Sequence, residues 1–453
     1  MKTVRSKVKI VSLFSGCGGL DLGFHKFNTE IIYAADNDKY ATKIFKENLS
    51  DNAMLRDVTS EEFESDIRAL KTCDIVLGGF PCQGFSKAGP KQELDPRNSL
   101  YLKMKNAIES LNPLVFVAEN VDGLSQNFGG IFVQKIIDDF ENLNYSVDFR
   151  IIDAASFGVP QHRRRIIFVG IKKSEKINFS WPKQTHAAVT RNGESKILRV
   201  FSGETLITPV TIKDAISDLI NIETIAPDHH ITKKWPEKYE HIFKAIGPSQ
   251  KLCNVRHSKT SVYTWQIPAA FGKISERQVS ILDTIARNRR HKIYGDIPNG
   301  NPLSKTQIES LSGLSLTNTE IDDLIKKNYL KQIDIRFDLK GAMFCSGLFK
   351  RPDWNSPAPT VLTNFHNPRY FLHPFQNRPF SLRECARLQS FPDSFLFCEG
   401  SGIPLEEGYR LVGNAVPPLL SEIIAKNVME IFNESSLKII GNKRENETLS
   451  VAF

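Results

Sequence analysis

Val8-Lys9-Ile10-Val11-Ser12-Leu13-Phe14-Ser15-Gly16-Cys17-Gly18-Gly19-Leu20-Asp21 is the stretch on which the fold turns. Its apolar start, Val8 to Phe14, reads as a short buried strand that breaks into glycines at the head of a helix. Gly16, Gly18 and Gly19 permit a tight turn and a close approach of backbone to a ligand. A second strand, Ile31-Ile32-Tyr33-Ala34-Ala35, precedes Asp36. An acid about 20 residues beyond such a turn commonly takes ribose hydroxyls. At this point a nicotinamide site and a tight turn with no ligand both stay open.

Further along, Asp74-Ile75-Val76-Leu77 reads as another buried strand, stopped by Gly78-Gly79-Phe80-Pro81-Cys82-Gln83-Gly84-Phe85-Ser86. That sets the Cys82 thiol at the carboxyl edge of a sheet, where α/β folds place their chemistry. A lone free cysteine is ordinarily a small core residue, so its companions matter. Pro113 to Ala118 is an apolar strand ending in Glu119-Asn120-Val121, which brings a carboxylate to the same edge. Pro160-Gln161-His162-Arg163-Arg164-Arg165 leads into the strand Ile166-Ile167-Phe168-Val169-Gly170, and period-2 alternation puts Arg163 and Arg165 on one face and Arg164 on the other. A strand-end glutamate is ordinarily a cap or ion-pair partner, and a basic cluster a solvated edge. All of them in this order do not arise by accident.

In these segments the chain resembles the cytosine-5 DNA methyltransferase family. Phe14-Ser15-Gly16-Cys17-Gly18-Gly19 resembles its first cofactor motif and Pro81-Cys82-Gln83 its nucleophile motif. Glu119-Asn120-Val121 and Gln161-His162-Arg163-Arg164-Arg165 resemble the two motifs that hold the target base. Arg383-Glu384-Cys385-Ala386-Arg387-Leu388-Gln389-Ser390-Phe391-Pro392-Asp393 resembles the late motif that organises the recognition domain, and Gly413-Asn414-Ala415-Val416-Pro417-Pro418 the last motif, which returns to the cofactor. The likeness covers roughly residues 8–170 and 358–432, in the family's order. Asn37 departs from the pattern, standing where an aromatic residue often stacks on the cofactor adenine; so does Asn98, where Asp95-Pro96-Arg97 is often followed by glycine.

The resemblance implies an α/β protein with a Rossmann-like methyltransferase catalytic domain and a second, smaller target-recognition domain, with DNA between them. It implies S-adenosyl-L-methionine as cofactor, held by Phe14, Gly16, Gly18, Gly19, Leu20, Asp36, Asn37, Asp57, Val58, Pro81, Leu100, Asn414, Ala415 and Val416. It implies Cys82, Glu119, Arg163 and Arg165 as catalytic residues, and Gln83, Ser86 and Gln161 as DNA contacts. The chemistry needs these types. Cytosine C5 is too weak a nucleophile for a methyl sulfonium until a thiolate adds at C6 and turns the ring into an enamine. Glu119, if held protonated by burial, donates to N3 while its other oxygen accepts from the exocyclic amine. Arg165 holds O2 and stabilises charge building in the ring. The base must leave the stack, because C6 is out of reach inside a duplex.

Composition agrees. The chain has 453 residues, 41% hydrophobic and 24% charged, enough for two or three domains. Seven cysteines, an odd number with no C-x-x-C pair, read as reduced and intracellular, with no metal site. No apolar run reaches the ~18–20 residues of a membrane span, and glycine and aspartate interrupt the apolar stretch after Met1-Lys2-Thr3-Val4-Arg5, against a signal peptide. A cytoplasmic monomer acting on double-stranded DNA, beside a separately acting restriction endonuclease, is expected.

Residues 181–300 carry 18 Lys or Arg against 11 Asp or Glu, so nearly all of the formal net charge of +8 lies there. A solvated basic surface is the plain reading; in a methyltransferase, phosphate contact is the better one. Arg287, Arg289, Arg290 and Lys292, close together at a helix end, are the expected contacts. The expected domains are 1–185 catalytic, 186–400 recognition, 401–435 return to the catalytic domain, and 436–453 a loose tail. Within the recognition region, a basic helix at 276–290 and two helices with capping-box starts, Ser304…Gln307 and Thr317…Glu320, lead into the alternating stretch Ile333 to Lys340. That order suggests a winged helix over 276–345. Two rival functions share the fold: a tRNA cytosine-5 methyltransferase, disfavoured by the long recognition region, and a catalytically silent DNA-binding regulator, disfavoured by intact Cys82, Glu119 and Arg165. A dehydrogenase is excluded in practice, because only the nucleotide turn supports it.

Overall fold

The computed structural model describes residues 7–81, 100–126, 130–187, 206–221, 223, 225–231, 235–254, 256–298, 300–340 and 347–433. Cys82, Gln83 and Ser86, and the tail beyond residue 433, lie outside the described residues. The chain divides into two compact units: 1–229 with 355–363 and 382–453, and 230–354 with 364–381.

The first unit is built on a seven-stranded sheet of β1 (Val8–Leu13), β2 (Thr29–Asp36), β3 (Ala53–Leu55), β4 (Ile75–Gly78), β5 (Val115–Val121), β6 (Tyr145–Asp153) and β7 (Arg164–Lys172). Its order is β3-β2-β1-β4-β5-β7-β6. The pairs among β1 to β5 are parallel, and β7 runs antiparallel to both neighbours. Alternation along the strands feeds two cores. Ile10, Ile75, Leu77, Val115, Val117, Ile167 and Val169 pack on one face; Val11, Val76, Phe116, Ala118, Ile166 and Phe168 pack on the other. A sheet buried on both faces reads as near-continuous apolar runs, as these strands do.

Helix α1 (Gly19–His25) follows β1, and α2 (Lys39–Asn48) follows β2, capped by Asp38, which accepts from the amides of Tyr40 and Ala41. The connection from β3 carries α3 (Glu61–Leu70), capped by Ser60, and α4 (Leu100–Leu111) precedes β5. Residues 418–433 are helical and return to the first core, where Leu420, Ile424, Ala425, Val428 and Ile431 join Leu20 and Phe24 of α1. Lys26, at the C-cap of α1, pairs with Glu422 at 2.5 Å.

The division between units differs from the expected boundaries at 185 and 400, because residues 206–229 and 382–400 cluster with the sheet. A wholly buried ion pair ties these two segments to each other. Arg383 reaches Asp228 at 3.3 Å with both side chains at 0% exposure, and Asp228 also accepts from the amides of Phe397, Cys398 and Glu399. A buried charge requires such complete pairing, and here it locks both segments into the first unit.

In the second unit, helices Glu276–Asn288, Lys305–Ser312 and Asn318–Lys326 surround a core that includes Trp265, Ile281, Leu282, Ile308, Leu324 and Leu339. Both expected capping boxes are formed. The alternating stretch is not one strand. Asp334 takes φ +53° and turns the chain, so Leu330–Ile333 and Arg336–Leu339 form a hairpin with Ile335 exposed at its tip. Leu303–Ser304 pairs with the outer side of Arg336–Leu339. Arg289 is a second correction: it is buried, and its Nε and Nη2 donate to Asp338 at 2.7 and 2.8 Å. It has no surface to offer a phosphate, whereas Arg287, Arg290 and Lys292 are exposed.

Candidate active site

Parallel strands align their carboxyl ends, and the ends of β1, β2, β4 and β5 open into one cavity of about 460 Å³. Past β1 the backbone takes left-handed angles at Phe14 (φ +53°), Gly16 (φ +54°) and Gly18 (φ +90°), which bends it around the cavity floor. Asp36, half-buried at the end of β2, holds this turn: its carboxylate accepts from the amides of Gly16 at 2.8 Å and Asp38 at 2.9 Å. Burial raises the Asp36 carboxyl above its ordinary range, against the pull of those two amides. Gly19 is needed for a different reason. A Cβ there would stand 2.3 Å from the carbonyl oxygen of Val416, so only glycine lets the 413–416 segment close the wall.

On the other side of the cavity, Glu119 ends β5. Because β7 is antiparallel to β5, its first residues lie at the same edge: Val121 is opposite Arg165 and Glu119 opposite Ile167. Arg165 Nε therefore meets Glu119 Oε1 at 2.6 Å, with both side chains little exposed. Between them and β1 runs the loop after β4. Asn120 Nδ2 donates to the carbonyl of Phe80 at 2.9 Å, tying that loop to β5, and Gly79, Phe80 and Pro81 line the cavity. Cys82 is the next residue in the chain.

Most expected site residues meet here. Phe14, Gly16, Gly19, Leu20, Asp36, Asn37, Pro81, Glu119, Arg163, Arg165, Asn414, Ala415 and Val416 all line the cavity. Gly18, Asp57, Val58 and Leu100 are not among the described residues lining it. Asp57 instead caps its own turn, accepting from Thr59, and Val58 packs in the core. Two further expectations are corrected by burial. Arg163, 1% exposed, donates to the carbonyls of Val361 at 3.1 Å and Gly413 at 2.9 Å, so it positions the 413–416 wall and does not pair with a base. Its neighbour Gln161, wholly buried, donates to Leu388 O and accepts from the amide of Val361, out of reach of DNA.

The sequence reading missed Asp38, Arg410 and Asp21. Arg410 pairs with Asp38 and, at 2.6 Å, with Glu407; it comes from helix Leu405–Asn414, which sequence spacing alone does not bring near α2. Asp21 had a signal available, an acid two residues after the last glycine of the turn. It is 0% exposed; burial pushes its carboxyl up to about 7, against the pull of the Ser12 hydroxyl and its own amide. Among the described residues no cluster of three metal-ligating side chains occurs, and no helix is long and apolar enough to cross a membrane.

Comparison with known proteins agrees with this arrangement. The family model described as C-5 cytosine-specific DNA methylase matches residues 8–430. The type II methyltransferase M.NgoFVII of Neisseria gonorrhoeae is 30% identical over 449 residues, covering 99% of this chain and 93% of that one. M.AgeI of Thalassovita gelatinovora, also a type II methyltransferase, is 29% identical over 434 residues, 93% of this chain and 99% of that one. Among solved structures, a DNA modification methyltransferase encoded within an E. coli prophage superposes with a TM-score of 0.52 at 23% identity, over 94% of this chain and 100% of that one, a likeness of fold.

Proposed function

The chain belongs to the C-5 cytosine-specific DNA methylase family, and from that premise we propose that it moves the methyl group of S-adenosyl-L-methionine to C5 of a cytosine flipped out of a specific duplex sequence. The observation that carries this reading is the Arg165–Glu119 pair at 2.6 Å, set at one cavity rim beside the Gly79–Pro81 loop that leads into Cys82.

The residues present fit the donor. A cavity of about 460 Å³ falls within the ~300–1,000 Å³ of ligand pockets, and a half-buried Asp36 suits a ribose diol. When bound, S-adenosyl-L-methionine supplies an electrophilic methyl group on a sulfonium, which the activated C5 takes. The protein's own work is to make C5 nucleophilic. Cys82 adds to C6, placing electron density on C5. Glu119 bonds the N3 and exocyclic-amine edge of the ring, and Arg165, already beside it, holds O2 as charge builds. A base then removes the C5 proton and Cys82 is expelled. Arg163 keeps the cavity wall in place through Val361 and Gly413.

In the second unit, the helix–strand–helix–helix–hairpin order over the described part of 276–345 supports the winged helix read there, with exposed Arg287, Arg290 and Lys292 contacting phosphates. The type II methyltransferases that resemble this chain support a role protecting host DNA beside a cognate endonuclease; action as a monomer in the cytoplasm is part of the same proposal.

The test is a covalent trap. Duplex DNA with 5-fluorocytosine at the target position, given S-adenosyl-L-methionine, retains the enzyme as a stable adduct mapped to Cys82, because fluorine blocks the final elimination. Cys82→Ser forms none, since a hydroxyl is too weakly acidic to replace a thiolate. An adduct at Cys17 or Cys385, or preference for tRNA over duplex DNA, overturns the reading.

A further inference from the structure

The last strand of an open sheet presents its outer amides and carbonyls to any other chain. The two edges of the seven-stranded sheet differ in how they meet this hazard. β3 is three residues long, and shortness is one of the protections natural edges use. β6, at the other edge, runs for nine residues, Tyr145-Ser146-Val147-Asp148-Phe149-Arg150-Ile151-Ile152-Asp153, with no proline, no lysine and no bulge in its register with β7. Just beyond its two ends the same register continues in the bonds Lys173 N to Asn144 O and Ala154 N to Arg163 O. Even-numbered positions of β6 therefore bond to β7, and the backbone groups of Val147, Phe149 and Ile151 point outward. Among the described residues no other backbone group bonds to that outer side. Phe149 N donates instead to Oδ1 of its own neighbour, Asp148, at 2.7 Å.

We propose that β6 is the docking edge for β6 of a second copy of this chain, paired antiparallel about a twofold axis at Phe149. In that register Phe149 faces the partner's Phe149, and Val147 faces the partner's Ile151, all through outward backbone groups. Asp148 then lies opposite the partner's Arg150, and Arg150 opposite the partner's Asp148. These are non-hydrogen-bonded positions, where facing side chains come closest. Charge selects the register. Sliding by two residues either way sets Asp148 against Asp148 or Arg150 against Arg150, and sliding by one forfeits the outward bonds. Trp181 already holds both charges in place on one face. Its Nε1 donates to Asp148 Oδ2 at 2.6 Å, and its ring centre lies 5.4 Å from the Arg150 guanidinium carbon. Arg150 has no carboxylate partner among the described residues. A partner carbonyl that takes the Phe149 amide releases Asp148 Oδ1 for the partner's guanidinium. On the opposite face Ile151, 38% exposed, gains cover from the partner's Val147. Antiparallel pairing turns the carboxyl edges of the two sheets in opposite directions, so each copy keeps its own cavity and still acts as a single chain.

Sedimentation velocity of the full chain without DNA, from about 1 to about 200 µM, tests this. A strand-to-strand seam is small and its association weak, so wild type is expected to pass from monomer to dimer at about 10–100 µM. Arg150→Asp and Asp148→Arg each set like charges against each other at both symmetry-related pairs, and each weakens self-association about tenfold or more. An equal mixture of these two variants pairs opposite charges again and associates as wild type does. Ile151→Pro removes an outward amide without touching the β7 ladder and gives the same loss as the charge variants. Circular dichroism shows that each variant is folded. Wild type that stays monomeric across the range overturns the proposal. So does a dimer that survives both charge substitutions, or a mixture that fails to associate. Should Asp148→Arg or Ile151→Pro fail to fold, Arg150→Asp decides alone, and undiminished association in that variant overturns the proposal.

Discussion

Replacing Arg289 with alanine separates two readings of one basic cluster. The guanidinium makes two parallel bonds to Asp338, at 2.7 and 2.8 Å, with the side chains 4% and 6% exposed. Gly300 stacks so close that a Cβ there would sit 2.5 Å from the guanidinium carbon. Removing one member of a buried pair costs about 3–5 kcal/mol, because the other charge stays buried. Lys331 Nζ, 3.5 Å from Asp338 and partly exposed, offsets some of that charge, so the expected loss is at the low end, about 3 kcal/mol. With a urea m-value of about 1–3 kcal/mol/M, the midpoint falls by about 1–3 M. Tryptophan fluorescence follows it well, since Trp235, Trp265 and Trp354 lie in the second unit. Arg290→Ala, at an exposed position, is expected to change stability by less than about 0.5 kcal/mol while lowering the salt slope of DNA binding by about one. An unchanged urea midpoint for Arg289→Ala, together with a salt slope lower by about one, would refute the structural assignment and return Arg289 to the DNA.

Three further outcomes are expected. Gly19→Ala must push the Val416 carbonyl aside, and overpacking of this kind costs about 1–3 kcal/mol; donor affinity measured by calorimetry falls about tenfold or more, and wild-type affinity would show that the wall yields freely. Arg165→Ala and Glu119→Gln each lower the single-turnover methylation rate by about 10²–10³ with DNA affinity nearly kept, and rates near wild type would remove them from the chemistry. Arg387 holds the Asp393 carboxyl below its ordinary range, so the pair adds stability above about pH 4 that is lost as pH falls through the depressed value; Asp393→Asn removes that acid limb from a stability–pH profile, and an identical profile argues against it.

β1, β2, β4, β5 and β7 were legible because each is a run of apolar residues that two cores consume alternately; β3, three residues long, and β6, largely exposed along its length, were not read. The cavity lining was legible where a motif sits directly on a strand end, as with Phe14, Asp36 and Glu119. What failed shares one cause. Gln161, Arg163 and Arg289 are polar or cationic residues whose partners lie 200, 250 and 49 positions away, at Val361, Gly413 and Asp338. Nothing local distinguishes an arginine that will meet a buried carbonyl from one that will meet a phosphate. The same holds for Arg383 and Asp228, whose pairing moved a unit boundary. The turn at Asp334 was hidden by perfect alternation on both sides of it, since a tight two-residue reversal preserves the period.

The wall that closes the cavity comes from the far end of the chain. Val416 rests on Gly19, Ser421 donates to the carbonyl of Leu20, and Glu422 pairs with Lys26. Contacts that join the turn after β1 to the helix at 418–433, 401 positions apart between Leu20 and Ser421, cannot form until the later segment has emerged from the ribosome. The nascent polypeptide can assemble most of its sheet, yet it has no complete cofactor wall until the segment near residue 416 has left the exit tunnel. Products that stop short of that segment are therefore expected to lack the wall, and the cavity closes only once residue 416 has emerged. Synthesis itself thus sets the earliest moment at which a cell's DNA can be marked.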